Sequence, residues 1–140
     1  MKELLQDEYV IEENSGCLPK AKIHLTNVVS WIYPASKTFR TYQFKIVRSA
    51  LFQNTLVTLP TGLGKTFIAS SVMFNYYRWF MDGVIFFVAP TRPLVMQQVQ
   101  AFSQTITEVP LLDIQELTGH HSKDKRAKAY QIKRVFFMTP

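Results

Sequence analysis

An eight-residue segment, LPTGLGKT at residues 59–66, constrains the fold of this chain more than any other feature. It follows a short apolar run and precedes a long segment with apolar residues at helical spacing. Glycines at positions 62 and 64 allow backbone N–H groups to surround a phosphate without interference from a Cβ, and the N-terminus of a helix adds positive potential. The segment therefore predicts a phosphate-binding loop between a strand and a helix.

Two side chains at the end of this loop carry its chemistry. Lys65 would reach the β- and γ-phosphates of a nucleotide, and the Thr66 hydroxyl would be a ligand of Mg²⁺. The strict pattern has a further glycine where this chain has Leu59, and a glycine-rich turn with an incidental lysine is the structural alternative. The residues that we expect to bind the nucleotide through this loop are Pro60, Thr61, Gly62, Leu63, Gly64, Lys65 and Thr66.

Helices and strands alternate along the rest of the chain. The predicted helices cover residues 43–52, 65–80, 94–104 and 123–131, and the predicted strands cover residues 55–59, 84–90, 114–117 and 135–138. The run VIFFVAP is continuously apolar, which is typical of a strand buried on both faces of a parallel sheet. The pattern predicts an α/β fold, a parallel sheet with helices on both faces, in residues 31–140, after an acidic extension and linker in residues 1–30.

The charge distribution favours a polyanionic partner. The 140 residues include 16 basic and 10 acidic side chains, a net charge of +6. The first 13 residues hold five acids and one lysine, a charge of −4, so the other 15 basic and five acidic residues give +10. A basic body suits nucleic acid or an acidic lipid surface, and charge alone does not distinguish them.

Cysteine usage and hydropathy limit the class of protein further. Cys17 is the single cysteine, which excludes an internal disulfide and a cysteine-based metal site. The longest apolar run is far shorter than the roughly 20 residues of a membrane-spanning helix, and no signal-peptide pattern opens the chain. We therefore expect a soluble intracellular protein without a membrane partner.

Five segments in the expected order resemble motifs of superfamily 2 helicases. PTGLGKT resembles motif I, and Arg40 with Gln43 resembles the element that reads adenine. APTRPLVMQQ, residues 89–98, looks like motif Ia, and LTG and MTP resemble the next two elements at strand ends. Apart from the loop, each segment alone also suits an ordinary turn or helix start. The resemblance implies contacts to the nucleic-acid backbone from Thr91, Arg92, Thr118, Gly119 and Thr139.

The resemblance is closer in WIYP, LVTLPTGLGKTFIASSVMFNYYRWF and VAPTRPLVMQQ. These segments look like the first motor domain of the Fanconi anaemia group M family of DNA translocases, which includes the archaeal Hef helicases, so residues 31–140 would be an incomplete RecA-like domain. The resemblance implies ATP and Mg²⁺ as cofactors, a nuclear enzyme that moves on branched DNA in fork and interstrand crosslink repair, and repair-complex partners. Dicer and RIG-I-like motors, which act on double-stranded RNA, are the alternative family, and a non-hydrolysing nucleotide- or DNA-binding fragment is the alternative activity.

The chain lacks an obvious acidic pair for hydrolysis. ATP hydrolysis needs carboxylates at a strand end to hold Mg²⁺ and to orient water. None of the acids beyond the loop follows an apolar strand. In the family, the acidic motif comes shortly after the segment that MTP resembles, and the arginine finger lies in a second domain, so we expect the chain to stop before both and to be inactive alone. The acids beyond the loop are Asp82, Glu108, Asp113, Glu116 and Asp124.

Three other groups of residues have simpler interpretations. Six basic residues within positions 123–134 are expected to form a solvated helix face more than a phosphate-contacting surface. The aromatic residues 76, 77, 79 and 80 are expected in the core. His120 and His121 lack partners at metal-binding spacing, so no zinc site is expected.

Overall fold

The computed structural model describes residues 22–35, 38–119 and 122–140, without the side chain of Lys125. The expectations for the acidic extension, Cys17, His120 and His121 lie outside these residues. The predicted helices and the last three predicted strands are confirmed, with bounds that agree to within two residues. The elements are α1 (Leu25–Val28), α2 (Thr41–Phe52), α3 (Lys65–Trp79), β1 (Ile85–Val88), α4 (Arg92–Thr105), β2 (Ile114–Leu117), α5 (Lys123–Ile132) and β3 (Val135–Met138).

The three described strands form one parallel sheet in the order β1-β3-β2. Met138 of β3 lies beside Val88 of β1 and Leu117 of β2, so the strands end together at one edge of the sheet. Helices cover both faces. On one face α3 and α4 enclose a core, whereas on the other the Tyr130 ring of α5 lies 5.0 Å from the ring of Phe136. The predicted α/β fold with a parallel sheet is therefore confirmed.

The expected strand at residues 55–59 is absent from the described sheet. A β-strand needs a neighbouring strand as a hydrogen-bond partner. The described partner of β1 is β3, and β1 does not pair with residues 55–59. Leu56 is 90% exposed. A cleft of about 590 Å³ separates this segment from β1, with α3 as its floor.

The expectation that the VIFFVAP strand is buried on both faces is wrong. β1 lies at an edge of the described sheet, where Phe86 and Val88 are 51% and 55% exposed. β3 lies between β1 and β2 and is buried on both faces, because α3 and α4 cover Val135 and Phe137 while Tyr130 of α5 packs against Phe136.

Residues 22–32, of which 22–30 were expected to belong to the linker, are attached to α3 by specific hydrogen bonds. The side chain of Asn75 is fully buried and bonds to both the N–H and the carbonyl of Ile32. The indole N–H of Trp79 donates to the Ser30 carbonyl at 2.9 Å. The backbone N–H of His24 donates to the Trp79 carbonyl at 2.7 Å. These residues therefore contact the C-terminal half of the helix that follows the loop.

Candidate nucleotide-binding site

The loop at residues 59–66 has the backbone geometry that its glycines predict. Gly62 and Gly64 have φ angles of +84° and +86°, in the left-handed region that favours glycine. Gly64 is the N-cap of α3, a helix of 15 residues that is largely buried between two apolar clusters. The loop therefore leads directly into a helix N-terminus, where partial positive charge favours an anion.

Lys65 lies at the start of α3, and its ammonium group folds back over the loop. Its Nζ donates to the carbonyl of Leu59 at 2.5 Å and to that of Pro60 at 3.1 Å. Both bonds are exposed, so water screens them and a phosphate oxygen would compete well for the same cation. The side chain is thus positioned at the loop but is not committed to a buried partner.

Gln43 lies in the first turn of α2 and is only 5% exposed. Its Nε2 donates to the Leu63 carbonyl at 3.0 Å, and its Oε1 accepts a bond from the Tyr33 hydroxyl at 3.4 Å. A Cβ at Gly64 would lie 2.2 Å from the same Nε2. Gln43 therefore supports the loop, a role that the sequence did not predict because the contact joins residues 20 positions apart.

A cavity of about 950 Å³ opens beside the loop. Its walls include Arg40, the N-cap residue of α2, Gln43 from α2, Lys65 and Thr66 from α3, and Gln98 of α4, which the sequence did not predict. Small-molecule sites typically occupy about 300–1,000 Å³, so the volume suits a nucleotide. The Gln98 Oε1 is buried and has no hydrogen-bond partner among the described residues, which leaves an acceptor available at the wall. The only sequence feature that could have pointed to Gln98 is the pair of glutamines at residues 97 and 98.

The described residues provide groups that can bind phosphates, but they provide few ligands for Mg²⁺. The loop offers glycine backbone and one lysine, and the buried Gln43 amide braces it. Thr66 lines the cavity, and its hydroxyl oxygen would be one ligand for Mg²⁺. The described parts of the chain contain no group of three or more His, Cys, Asp or Glu residues able to hold a metal ion.

The five residues expected at the nucleic acid follow the ends of the three strands and therefore share one edge of the sheet. Thr91 is the N-cap of α4, and the Nε of Arg92 lies 3.7 Å from a carboxylate oxygen of Glu116. Thr139 donates its N–H to the Leu117 carbonyl at 3.3 Å. Thr118 is only 6% exposed, whereas Gly119 is exposed. A contact through Thr118 would therefore need its backbone or a small local movement.

The basic run at residues 123–134 divides into two parts. Lys123 and Lys128 on α5 are exposed, as a solvated face requires. Arg134 lies beyond the helix and is not part of that face. Its guanidinium donates to the carbonyls of Tyr77 and Phe80 and lies 4.1 Å from the centroid of the Tyr77 ring. The solvated-face expectation is thus wrong for Arg134, which caps the C-terminal end of α3.

Three of the four aromatic residues at positions 76, 77, 79 and 80 belong to the core, as predicted, but the expectation is wrong for Tyr76, which is 36% exposed. Trp79 is 5% exposed, and Tyr77 and Phe80 pack against the two core clusters. The Tyr77 hydroxyl donates to Asp113 Oδ2 at 2.5 Å. Burial raises the pKa of Tyr77, and the bond to the Asp113 carboxylate raises it further because it stabilises the protonated hydroxyl.

The loop, its helix and the parallel sheet together define part of a RecA-like domain of the P-loop class. The chain belongs to the family described as "Type III restriction enzyme, res subunit", whose model matches residues 36–140. Among the described residues, no helix has the length and apolar character needed to cross a membrane.

Curated helicases and a solved helicase structure resemble the chain. It is 59% identical over 111 residues to the DEAD-box ATP-dependent DNA helicase Fancm of Drosophila melanogaster, and 55% identical over 113 residues to the DEAD-box ATP-dependent RNA helicase FANCM of Arabidopsis thaliana. Each match covers 79% of this chain but only 7% and 8% of those relatives. The Hef helicase domain of Pyrococcus furiosus is 35% identical with a TM-score of 0.65, covering 73% of this chain and 21% of that one. The resemblance to Fanconi anaemia group M and Hef-type helicases is confirmed.

Proposed function

We propose that this chain is the ATP-binding segment of an ATP-dependent DNA helicase or translocase, with residues 31–140 as part of its first motor domain. The observation that carries the proposal is the loop with two positive-φ glycines, Lys65 at a helix N-terminus and a cavity of about 950 Å³ beside them. The names of the relatives, which are ATP-dependent helicases, support the same activity.

In this proposal each residue of the site would have one role in binding ATP. The backbone N–H groups of Gly62 and Gly64 and the N-terminus of α3 would hold phosphate oxygens, and Lys65 would neutralise their charge. Thr66 would hold Mg²⁺, which neutralises phosphate charge when bound. Gln43 and Arg40 also line the cavity, and the Gln43 amide, which now bonds to the Leu63 carbonyl, would meet the adenine edge.

A DNA backbone is the proposed partner at the strand-end edge. Thr91 and Arg92 stand at the carboxyl end of β1, where parallel α/β sheets bind their ligands. The basic body of the chain would add attraction to any nucleic acid. Branched DNA, a nuclear location and repair-complex partners follow from the family and belong to this proposal. RNA is the competing substrate, since the Arabidopsis relative is named as an RNA helicase.

A non-hydrolysing binding module is the second candidate activity. The favouring observation is that no acidic residue directly follows β1, β2 or β3 in the sequence. No acidic residue lines the cavity beside the loop, so among the described residues no carboxylate is placed there to orient the attacking water or to complete the Mg²⁺ sphere. We therefore expect the 140-residue chain to bind ATP weakly and to show no DNA-stimulated hydrolysis.

A binding titration tests the proposal. A fluorescent ATP analogue should bind the chain, and Lys65→Ala should weaken binding about 10-fold or more, because a hydrogen bond to a charged group contributes about 1.5–3 kcal/mol. Lys128→Ala is the matched control, since it removes an exposed lysine from α5. Undiminished binding in Lys65→Ala would remove the phosphate-loop assignment. DNA-stimulated hydrolysis that Lys65→Ala abolishes would instead remove the non-hydrolysing candidate.

A further inference from the structure

Two neighbouring side chains of α2 converge on one carbonyl of the loop. The Tyr42 hydroxyl donates to the Leu63 carbonyl at 2.9 Å, and the Gln43 Nε2 donates to the same oxygen at 3.0 Å. The Tyr42 hydroxyl also accepts a bond of 3.1 Å from Nη1 of Arg40. Arg40, Tyr42 and the Leu63 carbonyl thus form a continuous chain of hydrogen bonds from the cavity wall to the loop.

The positive charge of Arg40 strengthens the hydrogen bond from Tyr42 to the Leu63 carbonyl. A guanidinium that donates to a hydroxyl polarises it and makes it a better donor. Arg40 is the N-cap residue of α2, but its side chain makes no capping bond to the helix. Its side chain is instead bonded to Tyr42.

The orientation of the Leu63 carbonyl determines that of the next amide. The peptide between Leu63 and Gly64 is planar and trans, so its C=O and N–H point in opposite directions. A carbonyl held against α2 therefore directs the Gly64 N–H away from α2. That N–H is one of the donors that a phosphate-binding loop presents to its ligand.

We propose that Tyr42 is a positioning residue of the nucleotide site, which holds the Leu63–Gly64 peptide in the orientation that binds phosphate. This inference rests on the proposed nucleotide binding by the loop. It assigns Tyr42 to the phosphates and not to the base, because its hydroxyl contacts the loop backbone.

Tyr42→Phe removes the hydroxyl and keeps the ring. We expect ATP and inorganic tripolyphosphate to bind about three- to tenfold more weakly, as loss of one hydrogen bond predicts. Adenosine should bind unchanged. Tyr76→Phe is the matched control, because the Tyr76 hydroxyl makes the same kind of bond, to the Leu51 carbonyl at 3.1 Å, away from the loop. Weaker adenosine binding with unchanged tripolyphosphate binding would make Tyr42 a base contact and overturn the proposal.

Amide hydrogen exchange gives a readout that needs no ligand. In Tyr42→Phe the amides of residues 62–66 should exchange several-fold faster, and Tyr76→Phe should leave them unchanged. Equal exchange in both variants would overturn the proposal. If Lys65→Ala abolishes ATP binding while Tyr42→Phe changes neither affinity nor exchange, the inference fails alone. If Lys65→Ala leaves ATP binding intact, the proposed function fails instead.

Discussion

Alanine substitution at the two loop glycines tests whether Gln43 supports the loop. Both glycines have nearly the same positive φ, so each alanine should cost about 1–2 kcal/mol of left-handed strain. Their surroundings differ. A Cβ at Gly62 meets nothing within 4 Å, whereas one at Gly64 would lie 2.2 Å from the Gln43 Nε2. Gly64→Ala should therefore displace the Gln43 amide and break its bond to the Leu63 carbonyl, which adds about 0.5–1.5 kcal/mol.

Urea unfolding measures this difference. With an m-value of about 1–3 kcal/mol/M, the midpoint of Gly64→Ala should lie a few tenths of a molar or more below that of Gly62→Ala. Gly64 is also the N-cap of α3, so part of its cost is independent of Gln43. A Gln43→Ala background separates the two effects, because it removes the clash and keeps the cap. An unchanged difference in that background would refute the reasoning.

Three further changes test the base-reading element, the nucleic-acid face and the ionisation of a half-buried tyrosine. Gln43→Ala in the complete motor should weaken ATP more than GTP, because the amide pairs with both a ring nitrogen and an exocyclic amine of adenine; equal losses would leave only its support of the loop. Arg92→Ala should weaken binding to different DNA sequences alike and reduce the salt dependence by about one unit of slope, and a sequence-selective loss would contradict a phosphate contact. Because the pKa of Tyr77 is raised on folding, the free energy of unfolding should fall as pH rises above the ordinary tyrosine value, and the urea midpoints of Tyr77→Phe should show a smaller fall, since the raised pKa of Tyr33 remains.

Much of the fold could be predicted from local patterns. The bounds of β2 and β3 match their predictions, and Lys65 begins α3 as the loop pattern requires. Apolar periodicity and glycine positions are local properties of the sequence, so they predict helices, strands and turns without information about which segments pack together. The alternation of helices and strands likewise predicted a parallel sheet.

Features that depend on neighbours could not be predicted. Residues 55–59 have strand-like composition, but a ladder needs an adjacent strand, and the described sheet supplies none there. The exposure of Phe86 follows from the position of β1 at an edge, which strand composition does not reveal. Arg134 belongs to a basic run in sequence, yet it bonds to carbonyls more than 50 residues away.

The candidate site was predicted in the same uneven way. The loop residues and Gln43 came from recognisable motifs, but the contacts of Tyr42 and Gln43 with the Leu63 carbonyl arise from the packing of α2 against the loop. The contribution of Gln98 depends on how α4 lies across the cavity. Such contacts join distant parts of the chain and leave no periodic signal in the sequence.

A titration of ¹⁵N-labelled chain with Mg²⁺ and ATP, followed by amide chemical shifts, tests the central claim most directly. If the loop binds phosphate, the largest shifts should fall on Gly62, Gly64 and Lys65, and Lys65→Ala should abolish them. Shifts confined to α5, or no shift in the loop at millimolar ATP, would contradict nucleotide binding at this site.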